Sequence, residues 1–405
     1  MWLKNWASSK YLIVILVLAA ALRLVNLGYP DKYIFDEVYH AFTAREYISG
    51  NIDAWEWWTT PPEGVAYEWT HPPFAKYGMW VGMKIFGETS FGWRIGSAVF
   101  GVLSILGLYL LVLSVARNNQ VALLSAFLLS IEGTHIAQSR IAMNDMYMLC
   151  FYIWSLYLAV KSRWKGAAIL YGLALASKWS ALYGVIPLAV IYLHENNPRL
   201  WSIKQVFSHL FFSLRLVLIA LSIYVLTFAP FITAGHSWAQ WWELHRQMWY
   251  YHTHLVATHD YQSTPKEWLF AVRPVWYFVH YEETTTQNIY VQGNPLILWF
   301  GLVSFVLGLR HILKFKHSIF LLIYSIFTFP WIFSPRIMFF YHYMPSATFL
   351  CVLLATFLLE IPKSAKNLLL FLFLLSLFVI SPMLYGFPMS HSYWDTLFGI
   401  FPSWK

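Results

Sequence analysis

Eleven apolar runs follow one another along the chain of 405 residues, and most of them are long enough to cross a lipid bilayer. A membrane-spanning helix needs about 20 predominantly apolar residues. The runs lie at residues 11–27, 92–115, 119–133, 143–160, 166–177, 179–193, 209–232, 294–309, 317–334, 338–359 and 367–386. We therefore predict an all-α integral membrane protein with about eleven transmembrane helices. The short runs 166–177 and 179–193 form either two helices or one kinked helix.

The composition supports this class and explains the positive charge. Hydrophobic residues make up 59% of the chain and charged residues only 11%, which is outside the range of soluble domains. The net charge is +8, but in membrane proteins an excess of Lys and Arg marks cytoplasmic loops. We expect no nucleic-acid partner. The two cysteines, Cys150 and Cys351, lie inside apolar runs and predict neither a disulfide nor a metal site.

The distribution of basic residues predicts the orientation. With the N-terminus in the cytoplasm and eleven spans, every inner loop is basic. The basic residues of these loops are Lys4, Lys10, Arg117, Lys161, Arg163, Lys165, Arg199, Lys204, Arg310, Lys314, Lys316, Lys363 and Lys366. This pattern obeys the positive-inside rule and places the C-terminus outside.

Two outer segments, residues 28–91 and 233–293, are much longer than the other loops. Both are rich in Trp, Tyr and His, which are amphipathic side chains that suit the headgroup zone of a membrane. We expect them to carry interfacial helices. Neither has the length or charge of a separate soluble domain, so residues 1–405 are predicted to form one membrane domain.

The second outer segment contains four histidines, His245, His252, His254 and His259. Their spacing matches no structural zinc pattern, and residues two apart do not share a face of a helix. We interpret them as amphipathic side chains of an interfacial segment. No obligatory metal or other cofactor is expected.

Several charged residues lie on the predicted outer side, where short loops should contain few cations. The cations are Arg23, Arg140, Lys178 and Arg336, and the neighbouring polar residues are Asp36, Glu37, His71, Glu132, Asp145 and His342. A charge near membrane depth is costly and usually faces a polar cavity, an anion or an ion-pair partner. We interpret Asp145 as a helix-capping residue and expect most of the others at one site.

This combination of cations and acids suits group transfer from a lipid phosphate. Arg and Lys bind phosphate through charge-assisted hydrogen bonds. A carboxylate beside them can take a proton from an incoming hydroxyl. Because the phosphate leaves as a stable anion, bound cations can replace a general acid. One of the adjacent acids Asp36 and Glu37 is therefore a candidate general base.

Seven motifs, in this order and spacing, resemble one family. They are FDE at 35–37, WTHPPFAKY at 69–77, GTHIAQSRIAMNDMYM at 133–148, SKWSALYG at 177–184, RPVWYF at 273–278, GNP at 293–295 and SPRIMFFYHYMPSATF at 334–349. Together they resemble the protein O-mannosyltransferases, which have the GT-C fold and use a polyprenyl-phosphate mannose donor. The resemblance extends over nearly the whole chain.

The resemblance implies an inverting transfer of mannose from the lipid carrier to Ser or Thr hydroxyls of an acceptor protein. It makes Asp36 the first candidate for the base and Glu37 the second, unless Glu37 orients the sugar or the acceptor. It implies that Arg140, Lys178 and Arg336 hold the lipid phosphate with His342 nearby. Arg23 belongs to the same group of cations. His71 either shapes the acceptor side or belongs to a turn fixed by the two prolines that follow it.

The chain departs from the eukaryotic members of that family, which carry a β-rich lumenal domain in a central external loop. The segment 233–293 is too short for such a domain. The resemblance therefore implies a prokaryotic type of enzyme, which acts at the outer face of the plasma membrane.

Two other functions are compatible with the sequence. A related GT-C transferase could move another lipid-linked sugar onto a lipid or glycan with the same phosphate-binding cations and base. A transporter of lipid-linked sugars would need polar residues at the membrane midplane and corresponding broken helices in two halves. The gathering of ionisable residues at one face favours a transferase.

Overall fold

The computed structural model describes residues 2–197 and 202–405. Residues 198–201, which include the predicted cytoplasmic Arg199, lie outside the described part of the chain. The helices are α1 (Trp2–Leu24), α2 (Glu37–Ser49), α3 (Phe74–Phe86), α4 (Ser90–Ala116), α5 (Asn119–Ser130), α6 (Gly133–Gln138), α7 (Asp145–Val160), α8 (Trp164–Ser177), α9 (Val185–Asn196), α10 (Ile203–Leu226), α11 (Ala229–Thr233), α12 (Trp238–His254), α13 (Pro265–Leu269), α14 (Pro295–Gly308), α15 (Phe315–Thr328), α16 (Met344–Leu358), α17 (Lys363–Tyr385) and α18 (His391–Ile400). The strands are β1 (Val275–Tyr281), β2 (Thr285–Val291) and β3 (Met389–Ser390).

Each of the eleven predicted apolar runs overlaps a helix. Within the described residues, five helices are long and apolar enough to cross a membrane. These are α4, α10 and α17, together with α15 extended to Phe333 and α16 extended back to Phe340 by short 3-10 turns. The all-α membrane fold is confirmed, while the number of spans stays a prediction.

The chain breaks its helical path at Lys178. Helix α8 ends at Ser177, and the backbone of Lys178 is extended, with φ −159° and ψ 134°. A 3-10 turn, Trp179–Gly184, then leads into α9. The runs 166–177 and 179–193 are therefore two helices, and the break places the buried Lys178 at their junction.

The helices of the bundle differ sharply in burial. The apolar window of Phe340–Leu358 is 89% buried inside the protein, whereas that of α10 is 11% buried. A helix that is apolar and covered all round belongs to the core, and α10 presents an apolar surface suited to lipid. Gly301 of α14 allows close packing on α16, because an added Cβ would lie 2.6 Å from Leu350 Cγ.

Two connecting segments supply most of the structure outside the long helices. The first, residues 25–89, contains α2 and α3, and the second, residues 227–294, contains α11 to α13 and the hairpin β1–β2. Helix α12 fits the predicted interfacial helix. The sheet was not predicted: β1 and β2 pair antiparallel with a register shift between Trp276 and Phe278, and β3 pairs with β2. Alternating aromatic and β-branched residues favour these strands.

Candidate active site

The two neighbouring acids of the first connecting segment stand at a tight turn before α2. Phe35 has a φ of +47°, in the left-handed region that bulky residues rarely adopt. Its ring stacks on Tyr277 of β1, with the ring centroids 4.3 Å apart. The unpredicted hairpin therefore supports the turn that presents Asp36 and Glu37.

The Glu37 carboxylate is fully buried and makes only structural contacts. Arg94 of α4 donates from Nε to Oε1 and from Nη2 to Oε2, both at 2.8 Å. The backbone N–H of Ala142 donates to Oε1 at 3.0 Å, and that of Ile34 donates to Oε2 at 3.1 Å. With two donors on each oxygen, this side chain joins the first connecting segment to α4 and to the start of α7.

The Asp36 carboxylate faces a cavity instead. Within the described residues it makes no hydrogen bond, even though Asp36 stands at the N-cap of α2. Burial raises the pKa of Asp36 to about 6, against the opposing effects of His40 and Lys178. A carboxyl that titrates near neutral pH can accept a proton from a hydroxyl at physiological pH.

The site cavity has a volume of about 240 Å³ and lies where both connecting segments meet the bundle. It is lined by Asp36, Tyr39, His40, Ala66, Tyr67, Glu68, Trp69, Thr70, His71, Met143, Lys178, Tyr251, Arg336, Tyr341 and His342. Of the predicted site residues, it brings together Asp36, His71, Lys178, Arg336 and His342.

Lys178 reaches the cavity from the break between α8 and α9. Its Nζ donates to both carboxylate oxygens of Asp145, at 2.8 and 2.9 Å, and lies 5.3 Å from the centroid of the Tyr341 ring. Asp145 is the first residue of α7, so it lies at the predicted helix start, but its carboxylate holds Lys178. The ion pair fixes the ammonium group at the cavity wall.

Arg336 is oriented by a histidine that the sequence analysis assigned to the interface. Arg336 Nη1 donates to His252 Nδ1, and His252 Nε2 donates to the carbonyl oxygen of Thr70 at 2.8 Å. Burial and the charge of Arg336 lower the pKa of His252 to about 4, so its ring is neutral. His252 thus connects α12 to the guanidinium group and to the first connecting segment. Only its place within an aromatic-rich segment hinted at this role.

His342 lies in the 3-10 turn before α16 and is buried. Its Nδ1 lies 3.2 Å from the backbone nitrogen and 3.0 Å from the carbonyl oxygen of Phe339. Its ring packs edge-on against Trp331, with centroids 4.6 Å apart. These contacts fix the imidazole at the wall of the cavity.

Glu68 was not predicted, and it organises the part of the cavity wall around His71. Its Oε1 accepts hydrogen bonds from Thr70 Oγ1 and from His71 Nδ1, the latter at 2.9 Å, and its Oε2 accepts from Lys76 Nζ. The N–H of Glu68 donates to Thr43 Oγ1 at 2.7 Å, which ties the loop to α2. The available signal was a carboxylate three residues before His71 in a chain with few acids.

Two predicted cations do not line the site cavity. Arg140 donates to the carbonyl oxygens of Arg23, Val25 and Asn26, and its guanidinium lies 4.3 Å from the Tyr385 ring centroid. It therefore satisfies carbonyls at the C-terminal end of α1. Arg23 donates to the carbonyl oxygens of Ala19, Leu129 and Ser130 and contacts His135 Nδ1.

Across residues 2–197 and 202–405, no group of three or more His, Cys, Asp or Glu side chains is arranged to hold a metal ion. Asp36 lines the cavity together with the cations Lys178 and Arg336 and with Glu68 and His71. The cavity can therefore receive an anion and a hydroxyl group near one carboxylate.

Comparisons with known proteins agree along the whole chain. The family described as dolichyl-phosphate-mannose-protein mannosyltransferase matches residues 13–240, and the C-terminal four-span region of protein O-mannosyltransferase matches residues 237–404. A polyprenol-phosphate-mannose–protein mannosyltransferase of Mycolicibacterium smegmatis is 24% identical over 99% of this chain and 93% of its own length. One from Mycobacterium tuberculosis is 23% identical over 97% and 91%.

Solved structures share the fold. The Saccharomyces cerevisiae protein O-mannosyltransferase Pmt1-Pmt2 complex bound to the sugar donor aligns with a TM-score of 0.80 and 15% identity, over 97% of this chain and 92% of that one. ArnT from Cupriavidus metallidurans aligns with a TM-score of 0.62 and 14% identity, over 90% and 62%. These matches confirm the predicted GT-C fold of a multi-pass membrane protein. The first family match covers more than half of the residues of this chain, so the chain belongs to the dolichyl-phosphate-mannose–protein mannosyltransferase family.

Proposed function

We propose that the protein transfers one mannose, with inversion, from a polyprenyl-phosphate carrier to a Ser or Thr hydroxyl of an acceptor protein. The observation that carries this proposal is Asp36, a carboxylate without a hydrogen-bond partner in the described structure, in one small cavity with Lys178 and Arg336. The names of the mycobacterial relatives supply the sugar, the carrier and the acceptor class.

Asp36 acts as the general base. Its carboxylate takes the proton of the acceptor hydroxyl while that oxygen forms a bond to the anomeric carbon. The bond from this carbon to the phosphate oxygen breaks at the same time, and the bonding electrons leave with the phosphate. A pKa of about 6 leaves most Asp36 side chains ionised at neutral pH without making the carboxylate a very weak base. Glu37 is not proposed as the base because four donors already occupy its oxygens.

Lys178 and Arg336 bind the phosphate, with His342 beside them. Arg336 bonds to a neutral imidazole, so its positive charge stays available to an anion. Lys178 is fixed by two hydrogen bonds to Asp145 and can offer its third N–H to the phosphate. Such preformed cations stabilise the charge that develops on a leaving phosphate. We do not extend this role to Arg23 and Arg140, whose guanidinium groups bond to backbone carbonyls.

An apolar groove supports the position of the carrier lipid. It has a volume of about 550 Å³ and runs between α8, α9 and α10. Leu175 and Leu182, which line it, lie just before and just after Lys178. A phosphate bound by Lys178 would therefore have its isoprenoid chain directed into this groove, where apolar surface favours burial of the hydrocarbon.

The directions of α7 and α8 support a site that faces the outer side of the plasma membrane. Helix α7 runs from Asp145 at the cavity to Val160, which is followed by the basic Lys161, and α8 runs from that basic loop back to Lys178. The cavity and the basic loop are therefore at opposite ends of these helices. By the positive-inside rule, we infer a cytoplasmic N-terminus, an extracytoplasmic cavity and an extracytoplasmic C-terminus.

A reconstitution experiment tests the proposed function. Purified protein in nanodiscs receives radiolabelled polyprenyl-phosphate mannose and a Ser/Thr-rich peptide, with a peptide in which all Ser and Thr are Ala as the control. We expect label in the hydroxyl peptide only, with inverted anomeric configuration, and in both the presence and absence of a chelator. Transfer of a different lipid-linked sugar to lipid or glycan, with the peptide unlabelled, would instead identify the alternative transferase. Movement of the donor between leaflets without transfer would identify a transporter.

A further inference from the structure

A buried charge pair, Glu68 and Lys76, lies beside His71 at the site cavity. Glu68 and Lys76 are 5% and 0% exposed, and their side chains are in direct contact. A buried charge is stable only when it is paired, so each ion keeps the other charged. Although burial opposes it, Lys76 and then His71 hold the pKa of Glu68 well below its usual range.

An ionised Glu68 determines which nitrogen of His71 carries the proton. The carboxylate can only accept, so the hydrogen bond of 2.9 Å requires a proton on His71 Nδ1. Burial holds the pKa of His71 well below its usual value despite the opposing charge of Glu68, so the ring is neutral. In this tautomer Nε2 has a free lone pair.

The Nε2 lone pair has no partner within the described protein. His71 lines the cavity with Asp36. The ring of His252 lies edge-on at 5.0 Å between centroids, but both of its nitrogens are already used by Arg336 and Thr70. An acceptor of this kind repels a phosphate, which has no proton to donate, and attracts a hydroxyl group.

We propose that Glu68 is a positioning residue that fixes His71 with Nε2 as the acceptor of a hydrogen bond from a substrate hydroxyl. The hydroxyl belongs either to the sugar ring of the donor or to the acceptor side chain. The inference rests on the proposed function and deepens it, because it adds recognition of a hydroxyl by His71 to the binding of the phosphate by Lys178 and Arg336.

His71→Asn is the decisive variant. The Asn side-chain amide can still donate to Glu68, but it has no atom in the position of Nε2. We expect kcat/KM to fall about tenfold, as for the loss of one hydrogen bond to substrate. If the His71 ring only holds the turn, Asn can replace it without such a loss. A His71→Asn variant with the kcat/KM of the wild type would therefore overturn the proposal.

Glu68→Gln tests the positioning role. The Gln amide can donate to Nδ1, which would move the proton of His71 to Nε2 and remove the acceptor. We expect a similar loss of about tenfold, and no further loss in the double variant with His71→Asn, because both changes act through one imidazole. Additive losses would contradict this role. Glu63→Gln, at an exposed position of the same connecting segment, is the matched control.

Steady-state kinetics distinguish the two sources of the hydroxyl. A raised KM for the peptide with unchanged donor binding assigns the hydroxyl to the acceptor, and weakened donor binding in the absence of peptide assigns it to the sugar. If both are unchanged and only kcat falls, His71 does not bind a hydroxyl in the ground state, and the proposal is wrong.

Nitrogen NMR of ring-labelled histidine provides a measurement that does not depend on transfer activity. The His71 resonances, identified by their loss in His71→Asn, should show a protonated Nδ1 and an unprotonated Nε2 in the wild type, with the pattern reversed in Glu68→Gln. The opposite tautomer in the wild type would overturn the inference. Failure of the wild type to mannosylate any peptide would instead refute the proposed function, so the two failures remain distinct.

Discussion

Two sets of charged residues in this protein differ in whether their carboxylate has a hydrogen-bond partner in the described structure. The anchor cluster, Glu37 with Arg94 and Arg140, directs its charges to protein partners. The cavity cluster, Asp36 with Lys178 and Arg336, leaves a carboxylate without a partner among the described residues and faces its cations into a cavity. Asp36 is half-buried, and a carboxylate that no protein group satisfies at the wall of a cavity is a candidate to contact a ligand.

The largest expected effect separates the two adjacent acids. Asp36→Asn preserves the shape of the side chain but removes the proton acceptor. General-base catalysis contributes about 10²–10⁴-fold, so we expect transfer to fall by about 10³-fold. The thermal midpoint of the purified protein should change little, because the Asp36 carboxylate has no hydrogen bond to lose. Retention of more than a tenth of the activity would exclude Asp36 as the base.

Glu37→Gln should act on stability instead. The change leaves Arg94 buried without its counter-ion, and breaking a buried ion pair by removing one partner costs about 3–5 kcal/mol of the free energy of unfolding. We expect a clearly lower thermal midpoint in detergent. The double variant Glu37→Gln, Arg94→Met should lose less than the sum of the two single losses. A stable but inactive Glu37→Gln protein would contradict the anchoring role.

The sequence predicted those features of the fold and of the site that depend on apolar runs and short motifs. Apolar run lengths located the helices, and seven motifs identified a family and the GT-C fold, which the comparisons confirm. The order of the motifs also selected Asp36, Lys178 and Arg336. The predictions of fold and family succeeded because hydrophobic length and short motifs are properties of consecutive residues. The roles of Asp36, Lys178 and Arg336 stay predictions.

The partners of each charge were beyond the reach of the sequence, because they come from segments distant along the chain. Arg94 holds the Glu37 carboxylate with two hydrogen bonds. It was not predicted, because it lies 57 positions away along the chain. Arg140 looked like a phosphate ligand until its guanidinium was found on the carbonyls at the end of α1. Likewise, nothing local to His252 indicated that it would bond to Arg336.

A matched pair of arginine variants tests the division among the cations. Arg336→Gln keeps a donor for His252 but removes the charge, so we expect the KM for the lipid donor to rise about tenfold, as for the loss of a charge-assisted hydrogen bond. Arg140→Gln should lower the thermal midpoint and leave the donor KM unchanged, because its contacts are with backbone carbonyls. If Arg140→Gln raised the donor KM without destabilising the protein, Arg140 would belong with the phosphate ligands.

The last expected effect is a fall of kcat/KM at acidic pH, which we attribute to protonation of Asp36. Burial raises its pKa to about 6, so the carboxylate loses its ability to accept a proton as the pH falls through 6. At pH 5 about one-tenth of the side chains remain ionised, and kcat/KM should fall about tenfold from its value at neutral pH. The residual activity of Asp36→Asn should lack this dependence, because an amide does not titrate. An unchanged acid limb in that variant would show that another group governs the profile. Measuring donor binding at each pH separates this effect from a loss of substrate binding.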